Sequence, residues 1–195
     1  MQPAAPSTIP TSPRPQRADA RRNREAVLES ARRMFAAEGL DAQIDEIARG
    51  AGVGVGTVYR HFPTKESLLE ALAQARFEAL AEHARKALEA DDGWEGFVDF
   101  MTYSARVMAE DRLLSEAMDQ RSEVCGEASQ SVGLLDLAAQ LIERAKAEGK
   151  LRADTEPSDV PGLICGIGRA VRSAPGAPAM TWERHLEIIL AGLRA

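Results

Sequence analysis

The stretch that most constrains the fold is residues 44–65, IDEIARGAGVGVGTVYRHFPTK, because it predicts two short helices joined by a tight turn. The first helix, residues 44–51, has one apolar face formed at helical spacing by Ile44, Ile47, Ala48 and Ala51. Gly52 follows at the bend, since glycine tolerates the left-handed backbone that ends many helices. The second helix, residues 55–61, ends before Pro63, because the residue preceding a proline is disfavoured in the helical region. This pattern is typical of a helix-turn-helix.

The second helix of this motif has an inner and an outer face. Val58 and Phe62 turn to one side. Thr57, Arg60 and His61 are left on the other side, with hydroxyl, guanidinium and imidazole groups outward. A helix-turn-helix used only for packing is the alternative, but packing gives no reason for these polar groups to face outward together. The pattern therefore predicts DNA binding through the second helix.

The segment GVGVGTVYRHFPTKESLL resembles the recognition-helix signature of the tetracycline-repressor (TetR) family of bacterial transcriptional regulators. The resemblance extends back to Arg24 and forward into the next helix. It implies an all-α fold of about nine helices, with an N-terminal three-helix helix-turn-helix DNA-binding domain and a C-terminal helical ligand-binding and dimerisation domain. It also implies a transcriptional repressor that binds a palindromic operator in double-stranded DNA as a homodimer and is released by a small-molecule effector.

The resemblance also assigns DNA-contacting residues. The family's DNA-facing positions fall on Val55, Gly56, Thr57, Tyr59, Arg60, His61 and Lys65. Lys65 corresponds to the usual phosphate anchor, and Arg60 suits a bidentate contact to guanine. Two positions depart from the family pattern: Val55 replaces a common lysine, which removes a cation near phosphate, and Gln43 replaces a common threonine, which is the better helix cap.

Charge is distributed unevenly along the chain, and the distribution is more informative than the net charge of −6. Residues 1–65 contain ten arginines and lysines against seven acidic residues, whereas residues 66–195 contain fourteen against twenty-three. A basic front end attracts phosphate, and an acidic remainder repels DNA elsewhere. The five arginines between residues 14 and 24 predict either a solvated helix start or an arm that follows the DNA backbone.

Composition and apolar periodicity divide the chain into three parts. These are a proline-rich disordered tail (1–17), the helix-turn-helix domain (18–66) and a helical domain (67–195), to which the resemblance assigns effector binding and dimerisation. Outside the motif, the expected helices span residues 20–38, 65–89, 94–110, 111–119, 132–148 and 159–173, with a last one beginning after Thr181. Residues 121–131 mix Ser, Gly and Glu and are expected to form a loop.

The C-terminal domain is expected to contain an apolar cavity, because ligand sites between packed helices are usually apolar cavities with a few polar groups. The candidate lining residues are Phe97, Met101, Tyr103, Ser104, Met108, Met118, Leu137, Leu141 and Cys165. An aromatic and methionine stripe at helical spacing is more often ordinary core, so the same residues also fit a packed interior. Their chemistry does not predict the identity of the effector.

The last two predicted helices are expected to pair with those of a second copy, because the family builds a four-helix dimer interface from its last two helices. The candidate interface residues are Leu163, Ile167, Val171, Trp182, Leu186, Ile189 and Leu190. These helices also fit the simpler role of closing the core of one chain. A dimer agrees with DNA geometry, since two readers related by a two-fold axis match a palindrome.

Other classes of protein find little support in the sequence. No run of about eighteen apolar residues and no secretory signal is present, so no membrane partner is expected and the protein is predicted to be cytoplasmic. No metal-ligand spacing, phosphate-binding loop or nucleophile motif occurs, so no metal, cofactor or catalysis is expected. Two alternatives stay open: a helical ligand-binding protein that does not bind DNA specifically, and a redox-responsive protein that uses Cys125 and Cys165.

Overall fold

The computed structural model describes residues 14–111, 114–117, 122–173 and 181–195, with the side chains of residues 14–17, 122 and 124 excepted. Within these residues the chain is helical, and β-structure is limited to one isolated antiparallel bridge between Leu151 and Arg194. The all-α fold expected from the sequence is confirmed. Among the described helices, none combines the length and the apolar character that crossing a membrane requires.

The helices follow one another with mostly short connections. They are α1 (Arg14–Glu38), α2 (Ile44–Ala51), α3 (Val55–His61), α4 (Lys65–Ala87), α5 (Gly93–Glu110), α6 (Ser122–Ser131), α7 (Leu134–Ala147), α8 (Asp159–Ser173) and α9 (Trp182–Leu193). A 3₁₀ turn, Gly39–Asp41, follows α1, and residues 114–117 are also helical.

Helices α1 to α3 and the start of α4 enclose a small hydrophobic core, the head core. Its buried residues are Val27, Ala31, Phe35, Ala42, Ile47, Ala48, Val58, Phe62, Leu68 and Leu72. Where α1 packs on α2, the Ser30 hydroxyl donates to the Ile47 carbonyl oxygen at 2.8 Å. A Cβ atom at Gly50 would lie under 3.0 Å from that hydroxyl oxygen, so any side chain there would displace Ser30 from this bond.

The remaining helices surround a larger hydrophobic core, the body core, with α5 at its centre. Helix α5 packs against α4, α7, α8 and α9. It buries Phe97, Phe100, Met101, Ala105 and Met108. The body core is therefore built around α5, against which most of the surrounding helices pack. Helix α6 packs instead on α4 and α7.

Helix α4 belongs to both cores. Leu68 and Leu72, in its first turns, are part of the head core. Phe77 and Leu80, in the next turns, are part of the body core. No loop separates the two cores along this helix, so the two cores share one continuous helix.

The turn between α4 and α5 is held in place by α7. The Arg144 guanidinium donates to the carbonyl oxygens of Leu88 and Ala90, the second at 2.7 Å. The Gly93 N–H donates to a carboxylate oxygen of Glu148 at 2.8 Å. The carbonyls at the end of a helix lack intrahelical partners, and Arg144 supplies donors for them.

Gly96 marks a close approach of α5 to the end of α4. A Cβ atom there would lie under 3.0 Å from the Ala87 carbonyl oxygen, which is a backbone atom and cannot swing aside. We expect Gly96→Ala to lower the free energy of unfolding by about 1–3 kcal/mol, the usual cost of overpacking, as measured by urea denaturation. Gly126→Ala is the matched control, because a Cβ atom at that helical position meets nothing within 4 Å. We expect the control to raise stability by roughly 0.5–1 kcal/mol, and equal stability of the two variants would contradict the close approach.

The structure differs most from the sequence-based prediction at residues 121–131. Their mixed Ser, Gly and Glu composition predicted a loop, and this prediction was wrong because Ser122–Ser131 form α6. Cys125 and Ala128 lie three residues apart on the inner side of α6 and are buried in the body core. This tertiary burial outweighs the weak helical preference of the local sequence.

Smaller differences concern helix ends and the chain terminus. Helix α1 begins at Arg14 rather than near residue 20. Helix α7 begins at Leu134 rather than at residue 132, because Gly133 has φ 66° and ψ 31°, which is outside the right-handed helical region. Residues 1–13 and 118–121 lie outside the described residues, so disorder of the tail and the end of the helix expected at 111–119 stay predictions. The division of the chain at residue 66 also stays a prediction.

Candidate nucleic-acid interface

The turn between α2 and α3 has the geometry that its glycines predicted. Gly52 ends α2 in the left-handed region, with φ 67° and ψ 27°. Gly54 is extended, and its carbonyl oxygen accepts from the Thr57 N–H at 2.8 Å, which starts α3. Phe62 leaves the helical region with φ −136° and ψ 91° immediately before Pro63. The predicted helix-turn-helix is present with the expected bounds.

Helix α3 presents one face to solvent. Gly56, Tyr59 and Arg60 are exposed on it, and Tyr59 is 48% exposed although it is a large aromatic residue. No hydrogen bond or ion pair joins Arg60 to any residue that the structure describes. Val58 and Phe62, on the opposite side, are buried in the head core. The exposed side of α3 therefore presents the Arg60 guanidinium and the Tyr59 phenol to solvent, and Gly56 on the same side has no side chain.

The other predicted DNA-contacting residues of α3 are only partly exposed. Val55 packs against the head core, and Thr57 is half-buried. The Nε2 atom of His61 is buried and lacks a hydrogen-bond partner among the described residues. The prediction that the His61 side chain faces freely outward was wrong, because His61 follows the buried Val58 by three residues and therefore lies on a neighbouring part of the same helix face.

Two cations lie against aromatic rings of the head core. The Lys65 Nζ atom lies 5.7 Å from the ring centroid of Phe35. The guanidinium carbon of Arg24 lies 5.3 Å from the ring centroid of Phe62. Both rings belong to the head core and attract the cations through their π faces. Arg24 belongs to the run of five arginines for which the sequence predicted either a solvated helix start or an arm along the DNA backbone, and that choice stays open.

Two helix starts beside this face differ in their capping. The Thr64 hydroxyl accepts from the Ser67 backbone N–H at 3.0 Å, and the Thr64 N–H donates to the Ser67 hydroxyl at 3.2 Å. This reciprocal cap fixes the start of α4 and the position of Lys65. At the start of α2, the Gln43 side chain makes no capping bond and donates instead to the Asp41 carbonyl oxygen at 2.7 Å. The weak capping expected of Gln43 is confirmed.

A second candidate site is a cavity of about 510 Å³ in the body, which we call the body cavity. It lies between α4, α5, α6, α7 and α8. Its described lining residues are Phe77, Leu80, Phe100, Ser104, Val107, Met108, Leu114, Cys125, Gly126, Ser129, Gln130, Leu134, Leu135, Ala138, Val160, Pro161, Ile164 and Cys165. The volume is within the range of small-molecule sites, roughly 300–1,000 Å³.

The sequence predicted the lining of this cavity only in part. Ser104, Met108 and Cys165 line it, and Met118 lies outside the described residues. The prediction was wrong for five others, which do not line the cavity: Phe97, Met101, Tyr103, Leu137 and Leu141. All five pack in or against the body core, and the ring of Tyr103 also stacks on that of His83 with centroids 4.0 Å apart. The residues that α4 and α6 contribute were missed, because their approach to α5 is not a local property of the sequence.

The two cysteines are distant in sequence but line the same cavity. Burial raises the pKa of the Cys125 thiol to about 11, with a smaller contribution from the charge of Cys165. A thiol with such a pKa is almost entirely protonated at pH 7 and is therefore a poor nucleophile. Cys125 consequently fits an apolar wall better than a redox centre.

The residues predicted to form a dimer interface fall into two groups. Ile167 and Leu186 are buried in the body core, with exposures of 2% and 4%, so the prediction that they face a second copy was wrong. The remaining candidates are partly exposed: Leu163, Val171, Trp182, Ile189 and Leu190. The periodicity of α8 and α9 thus identified apolar residues without distinguishing those that face inward from those that face outward.

Helices α8 and α9 also expose small and apolar residues that are not among the predicted interface residues. This surface, the terminal face, includes Gly162, Gly166, Ile188, Ala191 and Gly192. Ile188 is 57% exposed, and Cβ atoms at Gly162 and Gly166 would meet nothing within 4 Å. The two glycines are four residues apart and lie on one side of α8.

The helix-turn-helix in the head and the helical body define a helix-turn-helix transcriptional regulator. The model of the tetR family of bacterial regulatory proteins matches residues 27–72, and the model of the C-terminal domain of SbtR-like transcriptional regulators matches residues 92–195. The second match alone spans more than half of the chain. The protein belongs to the TetR family of bacterial transcriptional regulators, and its helix-turn-helix is the family's DNA-binding motif.

Solved structures of the family are similar over most of the chain. A TetR regulator from Mycobacterium vanbaalenii is 38% identical, with 93% of this chain and 100% of that chain covered and a TM-score of 0.65. SCO0520 from Streptomyces coelicolor is 30% identical, with 88% of this chain and 98% of that chain covered and a TM-score of 0.63.

The HTH-type regulator TtgW from Pseudomonas putida is 37% identical over 82 residues, which cover 42% of this chain and 61% of TtgW. This last match therefore spans less than two thirds of the relative's length.

Proposed function

We propose that the protein is a transcriptional repressor that binds an inverted repeat in double-stranded DNA as a homodimer and is released by a small-molecule effector. The observation that carries this proposal is the exposed side of α3. Arg60 and Tyr59 extend from it without partners in the described part of the head, and Gly56 beside them has no side chain to hold the helix away from a groove edge. A helix with such a face suits the major groove, which admits an α-helix.

Each residue around this face has a distinct role in the proposed complex. Arg60 reads a guanine through two parallel hydrogen bonds. Tyr59 donates its phenol hydrogen to a phosphate oxygen. Lys65 and Arg24, which lie against the Phe35 and Phe62 rings of the head core, contact the backbone phosphates and set the register of the helix in the groove.

A second copy is proposed to dock on the terminal face. Glycines on an outer helix surface let two helix backbones approach closely, and Gly162 and Gly166 have open space above them. The exposed Ile188 supplies apolar surface that a partner would cover. Two copies related by a two-fold axis would place their α3 helices on successive turns of the duplex.

The effector is proposed to act through α4. A molecule in the body cavity would touch Phe77 and Leu80, whose helix also carries Leu72 of the head core. An effector that binds more tightly when α4 is displaced would lower the population of the DNA-binding arrangement. Coupling of this kind typically changes affinity by about 5- to 150-fold.

Selection from random DNA duplexes with the purified protein tests the DNA-binding part of this proposal. We expect the enriched duplexes to contain an inverted repeat with half-sites about one helical turn apart, or a multiple of it. Fluorescence anisotropy on an enriched duplex should show affinity that falls steeply with salt, since phosphate contacts release counterions. A helical ligand-binding protein that ignores DNA would give no enriched motif, and that result would refute the proposal.

A further inference from the structure

The described residues that line the body cavity carry no charge. Every described residue that lines it carries a hydrocarbon, aromatic, thioether, thiol, hydroxyl or amide side chain, or is a glycine. An ionised ligand group would leave its hydration shell here without an opposite charge from these residues, which is costly unless the charge is paired. The described lining therefore selects against carboxylates, phosphates and ammonium groups.

Among the buried residues of the described lining, Ser104 alone carries a hydroxyl, and the second lining hydroxyl belongs to the half-buried Ser129. Phe77, Leu80, Phe100 and Met108 are buried there. Ser104 is also buried, at 6% exposure, and its hydroxyl has no hydrogen-bond partner among the described residues. Buried polar groups are normally hydrogen-bonded, so a hydroxyl left without a partner at a cavity wall suggests that a ligand supplies one.

The mouth of the cavity has a different character. Gly126, Gln130, Leu135 and Pro161 line the cavity and are exposed, so the cavity opens to solvent between α6, α7 and α8. The raised pKa of Cys125 on the inner wall agrees with a poorly hydrated interior behind this opening. A ligand would thus enter past the Gln130 amide and reach an apolar space in which Ser104 supplies the buried hydroxyl of the described lining.

We propose that the body cavity binds an uncharged, predominantly hydrocarbon or aromatic molecule with one hydrogen-bonding oxygen that pairs with the Ser104 hydroxyl. The regulatory role of this ligand rests on the proposed function, because the ligand can release the protein from DNA only if the protein is a DNA-binding repressor. The binding step itself is independent of DNA and is measured without it.

Matched pairs of probes test the absence of charge in the ligand. The pairs are 1-decanol with decanoate and 2-naphthol with 2-naphthoate, so that one linear and one aromatic skeleton each occur in neutral and anionic form. We expect at least one neutral probe to raise the melting temperature of the full chain, and calorimetry to give an affinity at least tenfold above that of its carboxylate. Decylammonium is expected to behave like the carboxylates. The inference is overturned if a charged probe binds as tightly as its neutral counterpart, or if neither neutral probe binds.

Variants at the mouth and at Ser104 locate the binding. A side chain at Gly126 meets no other atoms within 4 Å of its Cβ position, so Gly126→Phe is expected to fold and to block the mouth, with at least a tenfold loss of probe affinity. Glu127→Phe is the control: it adds the same ring at an exposed neighbouring position of α6 that does not line the cavity, and it is expected to bind normally. Ser104→Ala should weaken the neutral probe about three- to tenfold, the effect of removing one hydrogen bond. Unchanged binding in both Gly126→Phe and Ser104→Ala would place the probe elsewhere and overturn the inference.

The outcome of the DNA experiment is separate. Probe binding without a change in operator affinity would support the ligand class and refute release by such a ligand. Operator binding by a protein that takes up no neutral probe would support the repressor and refute the ligand class.

Discussion

If the proposed dimer forms through the terminal face, replacing Gly166 with arginine is expected to yield a monomer and to reduce affinity for the proposed inverted repeat by about 100-fold or more, because two linked half-site contacts become one. Gly166 is exposed on the terminal face, and a Cβ atom there meets nothing within 4 Å, so the fold of one chain accommodates the new side chain. In a dimer, the same side chain would separate the helix backbones and bury a cation without a partner. Sedimentation equilibrium measures the mass, and anisotropy measures the affinity for the duplex.

Two controls separate loss of the dimer from other effects of the added charge. Gln140→Arg adds the same cation at an exposed position of α7, away from the terminal face, and is expected to leave both mass and affinity unchanged. A duplex with a single half-site should bind Gly166→Arg about as well as it binds the unchanged protein. If Gly166→Arg remained dimeric and bound the full repeat normally, the terminal face would not be the interface.

The second large effect is expected at Arg60. Arg60→Ala should remove discrimination at one base pair of each half-site, with a loss of about 1–3 kcal/mol for each good bidentate contact. The reason is that Arg60 is exposed on α3 and has no partner in the described part of the head that would hold it back from DNA. Anisotropy on the selected operator and on duplexes with single base changes measures the discrimination.

Lys65→Ala is the control for Arg60→Ala, because it removes a proposed phosphate contact rather than a proposed base contact. Lys65 lies at the start of α4 beside the Phe35 ring and is proposed to contact phosphate. Its removal should weaken all duplexes to a similar extent and reduce the slope of log affinity against log salt by about one for each phosphate that Lys65 neutralises. If Arg60→Ala also weakened every duplex equally and kept the base preference, Arg60 would be a phosphate contact rather than a base reader.

The helix-turn-helix is predictable from the sequence because local sterics determine it. Gly52 takes the left-handed conformation that few other residues accept. Pro63 forces Phe62 out of the helix. Thr64 caps the next helix with its own hydroxyl. Each of these effects acts within a few residues, so the pattern of residue types is sufficient to place the helices.

The cavity and the terminal face are not predictable in the same way. Phe97 and Phe100 are three residues apart on α5 and equally apolar, yet only Phe100 lines the body cavity. Ile167 is in the core, while its neighbour Gly166 is exposed. Which apolar residue faces a void and which faces a neighbour depends on how α4, α6 and α8 approach α5, and periodicity along one helix carries no such information.

The continuity of α4 limits how this regulator can be recombined with others. Leu72 in the head core and Phe77 in the body core are five residues apart on one helix. Inserting or deleting a single residue between them would rotate one half of the protein against the other by about 100° and shift it by about 1.5 Å along the axis. A chimera that combines this DNA-reading half with a foreign sensor must therefore preserve the helical phase across the junction, and a fusion that ignores it should lose its response even when both halves fold.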